Sequence, residues 1–174
     1  MDARIIKTKK KIQNTIIELL TKKHLNEISI SELCSIANIN RNTFYSHYNT
    51  TYDVIEDITV NLMEDFGQMV EKSDNNLGIS IDICKYLFYK RDIFKILASS
   101  NSDGRYYEIA FAYARKSAQS GFLDSGHKEK RNYFNEFLIG GFVFLLTEWI
   151  DKGCIETPEE MGTIIHGLFG KFKI

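Results

Sequence analysis

The chain has 174 residues, 44% hydrophobic and 26% charged, which suits one compact domain, or a small domain docked on a larger one, with a real buried core. A single proline favours long unbroken helices, and three scattered cysteines without CxxC or Cys/His spacing argue against zinc or a disulfide framework and suit buried reduced thiols. The net charge of −1 hides an asymmetry: residues 1–50 carry +4 and residues 51–174 carry −5, so only the head suits a polyanion.

The opening MDARIIKTKKK lacks the apolar core and cleavage site of a secretory signal. Ile12, Ile16, Leu19 and Leu20 set a helical spacing within residues 4–23. His24, just past the last turn, is expected in left-handed backbone. Ser29-Ile-Ser-Glu32 fits a capping box, and the helix it starts would bury Leu33, Ile36 and Ala37. Asn38 can take a left-handed turn, Ile39 plugs the corner, and Asn40 is a good N-cap for a second short helix over 41–48. The result is a helix-turn-helix.

Thr50 caps the next helix, 51–72, with one apolar stripe from Val54 to Val70. SDNNLG (73–78) reads as a linker, followed by helices near 79–89 and 91–99 and a loop at 100–104. Residues 105–120 look helical, 120–126 turn, and a long helix over 127–151 stops at Gly153. Thr157-Pro158-Glu159-Glu160 starts the last helix, with a cap, proline at the first position and acid at the third. The fold class is therefore all-α, with about nine helices. The most apolar run, 137–150, falls short of the ~20 residues of a membrane span and is interrupted by Glu148, so it reads as a buried helix.

On a helical wheel of 41–48, Phe44 and Tyr48 share one face and can pack on Leu33, Ala37 and Ile39. That packing holds a helix too short to persist alone. Arg41, Asn42, Thr43, Tyr45 and Ser46 then point outward. Arg reaches guanine edges or phosphates, Asn pairs with adenine, and Thr and Tyr hydroxyls suit phosphate, so this face suits DNA. The helix N-terminus also offers free N–H groups to phosphate oxygens. The string Arg4, Lys7, Lys9, Lys10 and Lys11 either reaches flanking phosphates or is a solvated helix start. No Ser/His/Asp constellation, Gly-rich phosphate loop or paired carboxylates appear, so no enzyme, cofactor or metal is expected. His127 and His166 read as surface or helix-end residues, and His47 as a phosphate contact.

The stretch ISISELCSIANINRNTFYSHYNTTYDVI resembles the DNA-binding head of the TetR/AcrR family of bacterial transcriptional regulators. Thr43, Tyr45, His47 and Tyr48 match its T-x-Y-x-H-[FY] string, and Ser29, Ala37 and Ile39 match cap and core positions. Asn38 and His24 stand where the family usually has Gly, and Thr51 where a phosphate-contacting Lys often stands. The resemblance covers about residues 5–58. It implies a helix-turn-helix DNA-binding domain at 1–50 and a helical effector-binding and dimerisation domain at 51–174. It further implies a cytoplasmic bacterial homodimer acting on double-stranded DNA, a repressor released from a palindromic operator by a small-molecule effector. The alternative is a related activator, or a regulator controlled by a protein partner.

The DNA-contacting set is then Ser29, Ser31, Asn40, Arg41, Asn42, Thr43, Tyr45, His47 and Tyr48. Candidates to line an effector pocket are Phe66, Tyr86, Phe94, Tyr107, Phe111 and Tyr113, with Phe134 or Phe137 as a lid. Residues 133–150 are apolar nearly all round, which calls for cover on every side. A second subunit supplies it if this helix (Phe142, Leu145, Leu146, Trp149) and the last one (Ile164, Ile165, Leu168) pair with their symmetry mates as a four-helix interface; a larger internal core is the other solution. Gly140, Gly141, Gly162 and Gly167 permit close helix approach, which offsets their propensity cost.

Overall fold

At the corner of the helix-turn-helix, Asn38 adopts φ 50° and ψ 56°, the left-handed conformation expected of it. The Ile39 N–H then donates to Cys34 O at 3.0 Å and the Asn38 N–H to Ser35 O at 3.2 Å, closing the helix end. The computed structural model describes residues 3–72, 76–117 and 131–170. Among them are eight α-helices, two 3-10 turns and no strand: α1 (Ala3–Leu20), α2 (Ile30–Ala37), α3 (Arg41–Tyr45), α4 (Thr51–Lys72), α5 (Asn76–Ala98), α6 (Arg105–Ser117), α7 (Arg131–Asp151) and α8 (Pro158–Gly170). No helix among the described residues is long and apolar enough to cross a membrane.

The all-α class stands as read, with local differences. The segments expected at 79–89 and 91–99 are one helix, α5, because nothing at Lys90 or Arg91 breaks a helix; α5 also absorbs Asn76, Leu77 and Gly78 of the expected linker. The turn at 120–126 and the first residues of the helix expected from 127 lie outside the described residues. His24 is extended (φ −72°, ψ 153°) rather than left-handed, because it opens the 3-10 turn Leu25–Glu27, where its N–H donates to Glu27 Oε2 at 2.9 Å. Ile36 is 51% exposed rather than buried, so α2 buries Leu33, Cys34 and Ala37 instead. The helix expected over 41–48 ends at Tyr45, and Tyr48 is reached through a further turn whose N–H groups return to Phe44 O.

The chain divides into two compact units. The first comprises Met1–Asn61 with Ile96–Ile109. Its core holds Ile12, Ile16, Leu20, Leu33, Phe44, Val54, Ile55 and Leu97, all nearly inaccessible to solvent. Lys23 Nζ meets Glu32 Oε1 at 2.6 Å, fastening the end of α1 to α2. Three polar contacts tie the 96–109 segment into this unit: Asn101 Nδ2 donates to Leu20 O at 2.9 Å, Tyr52 Oη to Asp103 Oδ2 at 2.9 Å, and Arg105 to Glu56 at 3.2 Å.

The second unit comprises Leu62–Lys95 with Ala110–Ile174. Ile79, Ile83, Leu87, Phe94, Leu138, Leu146, Trp149, Met161 and Ile165 form its core. α7 stops as expected at Gly153 (φ 83°), with Cys154 N–H donating to Trp149 O at 2.8 Å. α8 starts on Pro158; Thr157 Oγ1 accepts the Glu160 N–H while the Glu160 carboxylate accepts the Thr157 N–H, a reciprocal cap. Gly162 lies so close to α5 that a Cβ there would stand 2.7 Å from Ile81 Cα.

Candidate nucleic-acid interface

The short helix α3 survives because its underside is locked. Phe44 is 0% exposed and its ring centre lies 5.9 Å from that of Tyr48, which is 5% exposed. Asn40 Oδ1 caps the start by accepting the Asn42 N–H at 2.9 Å. Ser29 Oγ likewise caps α2 by accepting the Glu32 N–H at 3.2 Å. Two capped helices thus meet at a left-handed corner, and α2 packs on both α1 and α3.

Above that underside, Asn40, Arg41, Asn42 and Ser46 are exposed and Tyr45 is 47% exposed, while Thr43 and His47 are half-buried. Ser29 and Ser31 are exposed at the start of α2. These residues supply one guanidinium, three carboxamide or imidazole groups and several hydroxyls, a donor-rich set of the kind that meets phosphates and base edges. Lys7, Lys10 and Lys11 are exposed on α1.

Tyr48 and Lys9 differ from the expectation. The sequence places Tyr48 both among the anchors of the helix and among the DNA contacts; its phenol is buried and donates to Asp57 Oδ2 at 2.7 Å, so it braces the helix from below. Burial first, then the Asp57 hydrogen bond and charge, push its phenol well above the usual tyrosine range. Lys9 belongs to the basic string, but its ammonium pairs with Asp57 Oδ2 at 3.1 Å. Spacing alone carried no signal for either bond, since Asp57 stands on a different helix.

The second unit gathers only part of the expected effector pocket. Phe66, Tyr86 and Phe94 form one aromatic cluster, with ring centres 5.2, 5.9 and 6.2 Å apart, and Tyr86 Oη donates to Asp65 at 2.6 Å. Tyr113 stands against Gly67, where a Cβ would run into its hydroxyl. Phe111 lies under the Arg115 guanidinium, 6.0 Å from the ring centre. Tyr107 belongs to the first unit and packs on Tyr106, with ring centres 5.2 Å apart. Phe134 is half-buried and Phe137 is 64% exposed.

The expected pairing surface divides in two. Leu146, Trp149 and Ile165 are buried by their own chain, and Trp149 Nε1 donates to Glu156 O at 3.0 Å, so these three present nothing to a partner. Phe142 and Leu145 are half-buried. Ile164 and Leu168 are exposed on α8, as are Tyr133, Phe137 and Phe144 at helical spacing on α7. Gly141 and Gly167 are exposed as well, with nothing among the described residues within 4 Å of where a Cβ would be. Among the described residues no group of His, Cys, Asp and Glu is arranged to hold a metal ion.

No curated protein matches the sequence significantly. A TetR family model, the transcriptional regulator C-terminal region, matches residues 74–171. Solved structures share the fold. A Listeria innocua protein is 20% identical, with a TM-score of 0.71 over 99% of this chain and 93% of that one. A TetR transcriptional regulator from Streptococcus agalactiae 2603V is 19% identical, with a TM-score of 0.68 over 97% and 96%. A transcriptional regulator of the AcrR type from Aquifex aeolicus VF5 is 20% identical, with a TM-score of 0.63 over 92% and 97%.

Proposed function

The chain belongs to the TetR/AcrR family of transcriptional regulators, and from that premise we propose that it is a homodimeric DNA-binding repressor, released from a near-palindromic operator by an effector. One observation carries the reading: α3 turns Arg41, Asn42 and Tyr45 to solvent while Phe44 and Tyr48 anchor it from beneath. Arg41 and Asn42 read base edges; Tyr45, His47, Ser29 and Ser31 hold phosphates and set the register. Exposed Lys7, Lys10 and Lys11 add salt-sensitive attraction to the backbone.

The dimer forms through the exposed apolar stripe of α7 (Tyr133, Phe137, Phe144) and Ile164 and Leu168 of α8, with Gly141 and Gly167 admitting close approach. A two-fold axis then presents two copies of α3, which requires an operator of two inverted half-sites. The effector binds the second unit around the half-exposed Phe66 and Tyr86 and acts by preferring one of two dimer states.

Selection of bound duplexes from a random DNA pool tests this directly. An enriched inverted repeat is expected, and a promoter carrying it should be repressed by the protein. A pool with no enrichment overturns the DNA-binding reading, and promoter stimulation overturns the repressor assignment. The recovered operator then serves to screen compounds that release the protein.

A further inference from the structure

A single oxygen beneath the candidate DNA-reading helix collects three donors. Asp57 stands on α4, and its Oδ2 accepts from Tyr48 Oη at 2.7 Å, Gln13 Nε2 at 2.9 Å and Lys9 Nζ at 3.1 Å. Lys9 and Gln13 lie one turn apart on α1, and Tyr48 ends the turn that follows α3. The donors also touch one another. Gln13 Nε2 is 3.5 Å from Tyr48 Oη, and the Lys9 ammonium is 5.2 Å from the centre of the Tyr48 ring. Every member belongs to the first unit.

Apolar contact sets how deep the Tyr48 ring sits but is non-directional. A hydrogen bond to an ionised carboxylate is short and directional, and here its acceptor is held from two further sides. Tyr48 is the last anchor of the segment that carries Arg41, Asn42 and Tyr45. We infer that Asp57 is a positioning residue for sequence reading: through Tyr48 it fixes the orientation of α3, without itself contacting DNA. This rests on the DNA-binding reading above.

The consequence separates two kinds of affinity. Attraction to phosphates depends on charge and tolerates a loosened helix. Base-edge contacts depend on orientation and do not. Asp57→Asn weakens the acceptor of Tyr48 and also leaves the Lys9 cation without its counter-charge. Operator binding should therefore fall while binding to unrelated DNA holds or rises. A merely structural loss lowers both together.

The test uses the full chain, the operator recovered by selection and a scrambled duplex of equal length at one salt concentration. Asp57→Asn and Tyr48→Phe should each weaken operator binding about tenfold, the scale of one charge-assisted hydrogen bond. Scrambled DNA should be bound no more weakly. The double variant should be no worse than the poorer single, because both changes act through the same Tyr48–Asp57 bond. Circular dichroism melting, with binding measured well below each transition, keeps unfolding out of the comparison. Equal losses on both duplexes, additive losses in the double variant, or unchanged operator binding each overturn the assignment. A wild-type chain that enriches no duplex sinks the DNA-binding reading itself; an enriched operator with unaffected variants sinks the role of Asp57 alone.

Discussion

Replacing Gly141 with alanine distinguishes an open helix face from one covered by a second subunit. Within one chain the added methyl meets nothing within 4 Å among the described residues. Helix propensity then favours alanine by about 1 kcal/mol, which for a chain of this size raises the melting temperature by roughly 2–4 °C. With a symmetry mate packed against α7, the same methyl enters a close contact, at a cost of about 1–3 kcal/mol. A two-fold interface meets that cost from both copies, so the dimer should weaken by at least roughly thirtyfold.

Gly162→Ala is the internal control. Its Cβ would stand 2.7 Å from Ile81 Cα and 2.8 Å from Ile81 N, both backbone atoms that cannot rotate away. That variant should lose stability whatever the oligomeric state. Sedimentation velocity over the micromolar range, with thermal unfolding followed by circular dichroism, reads both effects. If Gly141→Ala melts higher and dimerises as well as the wild type, the glycine face of α7 is not in the interface. A wild type that stays monomeric throughout removes the dimer from the proposal.

Arg41→Ala should relax preference at one operator position at a cost of roughly 1–3 kcal/mol, whereas Tyr45→Ala should weaken all duplexes about equally; parallel binding titrations on single-base operator variants check both. Phe44→Ala should cost about 3–5 kcal/mol, because that ring is wholly enclosed; a urea midpoint that barely moves would reject this account of α3. The Thr50 hydroxyl, then the Asn49 N–H, hold the Asp53 carboxyl below its usual range. Its folded pKa is therefore below the unfolded one, so its stabilisation is present above the ordinary value of 3.8 and fades as pH falls through the lowered value. Thr50→Ala should cost about 1 kcal/mol at neutral pH, and the deficit should shrink in acid; urea titrations at several pH values would expose the opposite trend. Burial, with a smaller contribution from Cys154, pushes the Cys84 thiol up to about 12, so it should resist Ellman's reagent until denaturant is added; rapid labelling of the native chain at Cys84 contradicts its enclosure.

What could be read from the sequence was mostly what short-range chemistry decides. Ser29, Asn40, Thr50 and the Thr157-Pro158 pair each cap a helix within three residues of themselves, and Asn38 bends where its side chain best tolerates the strain. Long-range pairings left no local trace. Gln13 and Tyr48 are 35 residues apart, and nothing in their spacing tells that both lead to Asp57. The apolar stretch of α7 was equally silent about direction. A helix hydrophobic on every side does not reveal that Leu146 and Trp149 turn inward while Phe137 and Phe144 turn out. α5 reads as two helices in the sequence because exposed Phe88 and Tyr89 lie off the buried stripe of Ile83, Leu87, Phe94 and Leu97, which blurs the single stripe that marks a helix.

The first unit is assembled from two stretches of chain, with residues 62–95 belonging elsewhere. A ribosome therefore cannot finish it until residue 109 has been made, and one protease cut after residue 61 leaves the segment that carries Asn101, Asp103 and Arg105 held only by non-covalent contacts. Anyone wishing to graft this unit onto another protein must carry both pieces, or bridge Asn61 to Ile96 with a linker in place of the excised 34 residues.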